Sequence, residues 1–129
     1  MDPIRNNLTD LKIDKLCRIL DLFRVYDKDI PTQLVSTFLY IAAHENCHKQ
    51  ALEDPVDGLG LSTAAASRNT DALAKVHRLE RLGTSRKKGL NLIIKEVDNS
   101  VNPRRVQLKL TREGSTLVKN IKTILNEKA

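Results

Sequence analysis

Tryptophan is absent from this 129-residue chain, and Phe23, Tyr26, Phe38 and Tyr40 are its only aromatic residues, all in the first third. A platform of aromatic rings on which bases could stack is therefore not available, which sets aside single-strand and RNA-type readers. Cysteine is nearly absent too. Cys17 and Cys47 lie far apart and lack the paired spacing of metal ligands, so reduced structural thiols are expected in preference to a disulfide or a metal site. No long apolar run or signal-peptide pattern appears near the N-terminus, which leads to the expectation of a soluble, intracellular, cytoplasmic protein with no membrane partner. The chain also lacks a serine nucleophile elbow, a Walker loop, a dinucleotide glycine pattern, internal repeats and low-complexity segments.

What is present is basic and unevenly so. Hydrophobic residues make up 40% of the chain, enough for one globular domain with a modest core, and the formal charge is +6. Residues 62–112 hold twelve Lys and Arg against four Asp and Glu, whereas the remainder holds ten against twelve. Such a concentration suits a surface that displaces counterions from phosphates, although a basic face could also meet an anionic membrane or an acidic protein.

The stretch LGLSTAAASRNTDALA, residues 59–74, lies inside that basic half. Leu59-Gly60-Leu61 predicts a tight turn, and Ser62 supplies a hydroxyl where a helix has unsatisfied amides. Thr63 to Ala66 are short side chains that let a backbone approach whatever it faces. Ser67, Arg68, Asn69 and Thr70 follow, and Arg and Asn carry the forked donors and acceptors that match guanine and adenine edges. Leu73 and Val76 continue an apolar stripe on the other side. Alone, this stretch also fits an ordinary amphipathic helix with a polar outer face. Its neighbours decide between the two.

Residues 1–7 read as a loose arm. Leu8, Leu11, Leu16, Ile19, Leu20 and Phe23 predict a helix over residues 8–26, with Ile13, Cys17 and Val25 widening its apolar surface beyond one core contact. Asp27 to Pro31 break it. A second helix starts at Pro31 or Thr32, carries Leu34, Phe38, Ile41 and Ala42, and ends near Glu45 with Asn46 as a left-handed stop. A third begins near His48 with Ala51 and Leu52 and is disturbed by Pro55. The candidate reading helix runs from Ser62 to about His77. Residues 78–89 are an extra turn or a basic loop. Residues 90–97 alternate as a strand, Asp98 to Pro103 are turn-forming, and Val106, Leu108 and Leu110 form the returning strand. Thr111 caps a last helix whose stripe is Leu117, Val118, Ile121, Ile124 and Leu125.

Helix, helix, reading helix and hairpin is the order of a winged helix-turn-helix. The fold class expected is mainly α with a small β-hairpin wing, with residues 30–111 as core and helices 8–26 and 112–127 outside it. Leftover apolar faces on those outer helices suggest that they meet a second copy.

Leu59-Gly60-Leu61-Ser62, Ser67-Arg68, Gly89-Leu90-Asn91-Leu92, Arg104-Arg105 and Leu110-Thr111-Arg112-Glu113-Gly114 follow one another in order and spacing. The chain thereby resembles the multiple-antibiotic-resistance regulator (MarR) family of winged-helix transcription factors, over roughly residues 30–114. The resemblance implies a homodimer joined by its terminal helices, with reading helices in successive major grooves and wings reaching minor grooves. It also implies room for a small-molecule effector between the two regions, though no residue here identifies one. Two departures stand out. The family's Asp-x-Arg wing triplet is Asn102-Pro103-Arg104 here, and Pro55 interrupts the first helix of the motif.

The expected function is a dimeric, sequence-specific reader of double-stranded DNA, most simply a repressor located at the nucleoid, without catalysis or cofactor. Ser62, Thr63, Ala64, Ser67, Arg68, Asn69 and Thr70 form the reading-helix set. Lys75, Arg78, Arg86, Lys87 and Lys88 are assigned to the DNA backbone, and Asn102, Arg104 and Arg105 to the wing. For Arg86 to Lys88 the alternative is a solvated loop. The same scaffold could instead bind a protein partner or act architecturally with nonspecific DNA contact. His44-Glu45-Asn46-Cys47-His48 also matches H-E-x-x-H, a zinc-hydrolase pattern that needs both imidazoles on one helical face and a third ligand, for which His77, a carboxylate or Cys17 would have to serve. A helix break near Asn46 would turn His48 away from His44 and leave two solvated histidines at a helix end.

Overall fold

The computed structural model describes residues 8–75 and 89–128. Among them the elements follow in the order α1 (Leu8–Arg24), α2 (Thr32–Ala43), a 3-10 helix (Lys49–Glu53), α3 (Thr63–Leu73), β1 (Ile93–Asp98), β2 (Arg105–Leu110) and α4 (Arg112–Leu125). Four α-helices and a two-stranded antiparallel hairpin are thus present among the described residues. The expected loose arm at residues 1–7 and every expectation placed on residues 76–88, including His77, Arg78, Arg86, Lys87 and Lys88, lie outside the described residues. None of the described helices is long and apolar enough to cross a membrane. The chain divides into two compact units, Met1–Ile30 with Thr116–Ala129 and Pro31–Ser115.

In the first unit, α1 buries Ile19 and Phe23 while Ile13, Leu16 and Leu20 on the helix, and Val25 just past its end, stay exposed. The wide apolar surface read from the sequence is real, and only part of it is covered. Leu117, Ile121 and Ile124 on α4 are buried at helical spacing, and Leu125 is exposed. Arg18 donates two hydrogen bonds to the Glu127 carboxylate at 2.7 and 2.8 Å, and Lys15 donates to the Glu127 carbonyl oxygen. These contacts tie α1 to the residues after α4 through exposed groups that water largely screens.

The second unit starts with Pro31, whose φ of −65° and extended ψ suit a helix entrance. Leu34, Val35, Phe38 and Ile41 then bury one face of α2. The helix stops at Ala43, two residues sooner than the expected Glu45, and Asn46 takes the anticipated left-handed conformation at φ 69°. Its amide donates to Leu108 O at 3.0 Å, while Leu108 N–H donates to Cys47 O at 2.8 Å. The chain leaving α2 therefore runs as a short third edge on β2 before entering the 3-10 helix. Leu52 is fully buried there, and its carbonyl accepts the amides of both Leu59 and Leu61. Asp54 answers the awkwardness of Pro55 by accepting from Val56 N–H and Asp57 N–H, which closes a turn in place of a longer helix. Gly60 follows with φ 65°, the left-handed position a side chain resists.

Helix α3 ends at Leu73, four residues short of the expected His77. Ala74 is extended and forms a parallel bridge to Ile93. The carbonyls of Ala72, Leu73 and Ala74 accept from Leu90, Leu92 and Asn91. Backbone returning from residues 89–92 thus takes the acceptors that another helical turn would use. The approach is close: a Cβ on Gly89 would stand 1.7 Å from Ala74 O. The same contacts explain why strand pairing begins at Ile93 and not at Leu90. From there the register runs Ile93↔Leu110 to Asp98↔Arg105. Thr111 caps α4 as expected, its hydroxyl oxygen accepting from Gly114 N–H at 2.9 Å and its proton donated to Asn91 O at 2.7 Å.

Candidate nucleic-acid interface

Helix α3 begins where its sequence says it should. Ser62 Oγ accepts from Ala65 N–H at 3.0 Å, and Ala65, Ala66, Thr70, Asp71 and Leu73 turn inward. Ser62, Thr63, Ala64 and Arg68 are left exposed on the opposite side, with Lys75 exposed just past the end. Neither the Arg68 nor the Lys75 side chain has a hydrogen bond or ion pair to another described residue. A face of short side chains around one long cation is the arrangement that a duplex groove admits.

Three members of the expected reading set are placed otherwise. Thr70 is fully buried, and its hydroxyl donates to Ala66 O at 2.8 Å, so it belongs to the core and not to the open face. Asn69 is half-buried and turns its amide nitrogen to α2, donating to Gln33 Oε1 at 2.9 Å and Thr37 Oγ1 at 3.2 Å. Ser67 is also half-buried, and its hydroxyl accepts from Lys49 Nζ at 2.8 Å. That last contact brings a cation from the 3-10 helix onto the face, a placement that spacing within α3 does not show. Thr63 donates to Glu53 at 2.8 Å and holds the same 3-10 helix to the start of α3.

The far side of α3 is locked to the hairpin. Asp71 and Lys95 pair at 2.6 Å with side chains 4% and 20% exposed. Lys95 is thereby removed from the pool of free surface cations. At the other end of the strands, Asn102, Arg104 and Arg105 are exposed on and beside the connection between β1 and β2. The side chains of Arg104 and Arg105 make no hydrogen bond or ion pair with another described residue. The base of this connection is anchored by Asp98, which accepts from Ser100 N–H and Ser100 Oγ and lies 2.7 Å from His48 Nε2. The Ser100 hydroxyl first, then His48 and then the Ser100 amide hold the Asp98 carboxyl down at about 2.

The H-E-x-x-H stretch does not form the helical site its spacing requires. Because α2 ends at Ala43, His44 caps the helix, its ring stacked on Tyr40 at 4.2 Å with Nδ1 2.9 Å from Tyr40 O. His48 sits in extended backbone at the entrance of the 3-10 helix and faces Asp98, so it is a partnered residue and not the solvated one expected. Burial raises the Cys47 thiol above its ordinary range, away from thiolate character. No group of three or more His, Cys, Asp or Glu among the described residues is placed to hold a metal ion.

The pairs His48–Asp98, Gln33–Asn69, Asp71–Lys95 and Lys49–Ser67 are separated by 50, 36, 24 and 18 residues. Local periodicity carries no signal for such partners. Comparison with models of known families, with curated proteins and with solved structures finds no match to this chain.

Proposed function

We propose that the protein is a homodimeric, sequence-specific double-stranded DNA-binding regulator of the winged helix-turn-helix type, similar to the MarR family and acting as a repressor. The observation that carries this reading is the two-sidedness of α3. One side is buried through Ala65, Ala66, Thr70 and Leu73, and the other exposes Thr63, Ala64, Arg68 and the nearby Lys75. Short residues permit close approach to base edges, and unpaired cations exchange their counterions for phosphates. In this reading the hairpin is a wing whose Arg104 and Arg105 meet the DNA backbone or minor groove.

Dimerisation is supported by α1. Ile13, Leu16 and Leu20 are 60%, 57% and 51% exposed and recur at the three- and four-residue spacing of one helical stripe. A small-molecule effector would find room in a cleft of about 430 Å³ lined by Lys75, Asn91, Ile94, Lys95 and Thr111.

Selection of duplexes from a random pool tests the proposal. A palindromic consensus whose half-sites lie about one helical turn apart is the expected result. Equal affinity for selected and scrambled duplexes across a salt titration would instead identify a nonspecific, architectural binder.

A further inference from the structure

Asn69 was expected to read bases, yet its amide nitrogen is committed to α2. The direction of every hydrogen bond around it follows from one buried hydroxyl. Thr37 Oγ1 donates its proton to the carbonyl oxygen of Gln33, one helical turn earlier, at 2.8 Å. Having donated, that oxygen can only accept. The Asn69 atom 3.2 Å away must therefore be the donor Nδ2, and the atom that Nδ2 meets on Gln33 at 2.9 Å must be the acceptor Oε1. With Oε1 so engaged, the exposed end of Gln33 is its amide nitrogen, which has no hydrogen bond to another described residue. Thr37 is fully buried, so this orientation is set from within the core.

We infer that Gln33 is a phosphate-binding residue of the DNA interface and that Asn69 is the positioning residue that holds it, rather than a reader of bases. This inference rests on the DNA-binding reading above. A side-chain amide whose oxygen is held by Asn69 and whose two N–H donors have no partner among the described residues suits an acceptor, and phosphate oxygens are acceptors with no proton to offer. Position agrees with the chemistry. Gln33 lies in the first turn of α2 and is hydrogen-bonded to the flank of α3, so it borders the exposed face without being part of it. Phosphate contacts of this kind fix a protein's register on the duplex and carry no sequence information themselves. Since Gln33 is neutral, its contact adds affinity without releasing a counterion.

The test uses the full-length protein, one duplex from the random-pool selection and a scrambled duplex of equal length, at several salt concentrations. Gln33→Glu keeps an acceptor for Asn69 but turns a carboxylate oxygen outward, and should weaken binding to both duplexes by about tenfold or more. Gln33→Ala should weaken both by a smaller, equal factor and leave the salt slope unchanged. Asn69→Ala should cost the same factor as Gln33→Ala, the double variant should cost no more than either, and the selected consensus should stay the same. Binding by Gln33→Glu at the level of the natural protein would overturn the phosphate contact. A consensus altered by Asn69→Ala would return Asn69 to base reading and overturn its positioning role. If the natural protein selects no duplex at all, the DNA-binding reading falls and this inference falls with it, a result distinct from either of the others.

Discussion

Arg68 combines exposure, length and the lack of a protein partner among the described residues, and it sits on the side of α3 that the core leaves open. In the proposed complex its guanidinium is the best-placed group to read a base edge. Arg68→Ala should cost about 1–3 kcal/mol on the selected duplex and relax the preference at one base position, as measured by competition with singly substituted duplexes. Asp98 makes a prediction of a different kind. Its carboxyl is held at about 2 against the ordinary 3.8, chiefly by Ser100 and then by His48. The unfolded chain therefore binds this proton first as the pH falls. The stabilisation is complete above 3.8 and is lost as the pH drops through the window down to about 2. Urea midpoints of the natural protein and Asp98→Asn should differ at pH near neutrality and converge across that window; a constant difference would mean that the ionised carboxylate is not what anchors the hairpin. At this scale the sequence was partly legible. The caps Ser62 and Thr111 are local chemistry, visible in a few neighbouring residues. Thr70 was misplaced because a polar residue next to Asn69 reads as exposed, whereas its angular position puts it beside the buried Ala66.

Elements were found more reliably than their ends. The apolar stripes of α1, α2 and α4 and the alternation of the hairpin are repeated signals, so their presence survives one ambiguous residue. Where each stops depends on what other backbone arrives to take its last hydrogen-bonding groups. Helix α3 ends at Leu73 because Leu90, Asn91 and Leu92 occupy the carbonyls of Ala72, Ala74 and Leu73, a contact between segments that periodicity treats as independent. The hairpin's proposed role as a wing is testable at the same scale. Arg104→Ala should weaken binding to selected and scrambled duplexes alike and reduce the salt slope by about one. Unchanged affinity and slope would remove the hairpin from the interface. Since Arg104 is exposed and its side chain makes no hydrogen bond or ion pair with another described residue, this substitution should leave the thermal midpoint as it was.

For the whole molecule the exposed side of α1 matters most. Ile13, Leu16 and Leu20 form a stripe too apolar for a helix meant to face only water. If a second copy covers it, replacing Leu16 and Leu20 together by Lys should halve the mass seen in sedimentation and abolish the concentration dependence of the thermal midpoint. It should also weaken binding to a palindromic duplex far more than to a half-site, because the two reading helices would no longer be linked. A natural protein that sediments as a single copy at micromolar concentration would overturn the dimer.

Residue order alone determined the four α-helices and the hairpin of the described chain, the capped start of α3 and the concentration of positive charge in the half of the sequence that holds it. Each of those depends on spacing within a few residues, where side-chain chemistry and backbone period act directly. Tertiary structure decided which members of the candidate set are free to act. It buried Thr70, turned Asn69 to Gln33, joined Lys49 to Ser67 and paired Lys95 with Asp71. A polar side chain's availability is set by whichever donor or acceptor comes within about 3 Å of it in the folded chain, and folding alone brings such distant partners together.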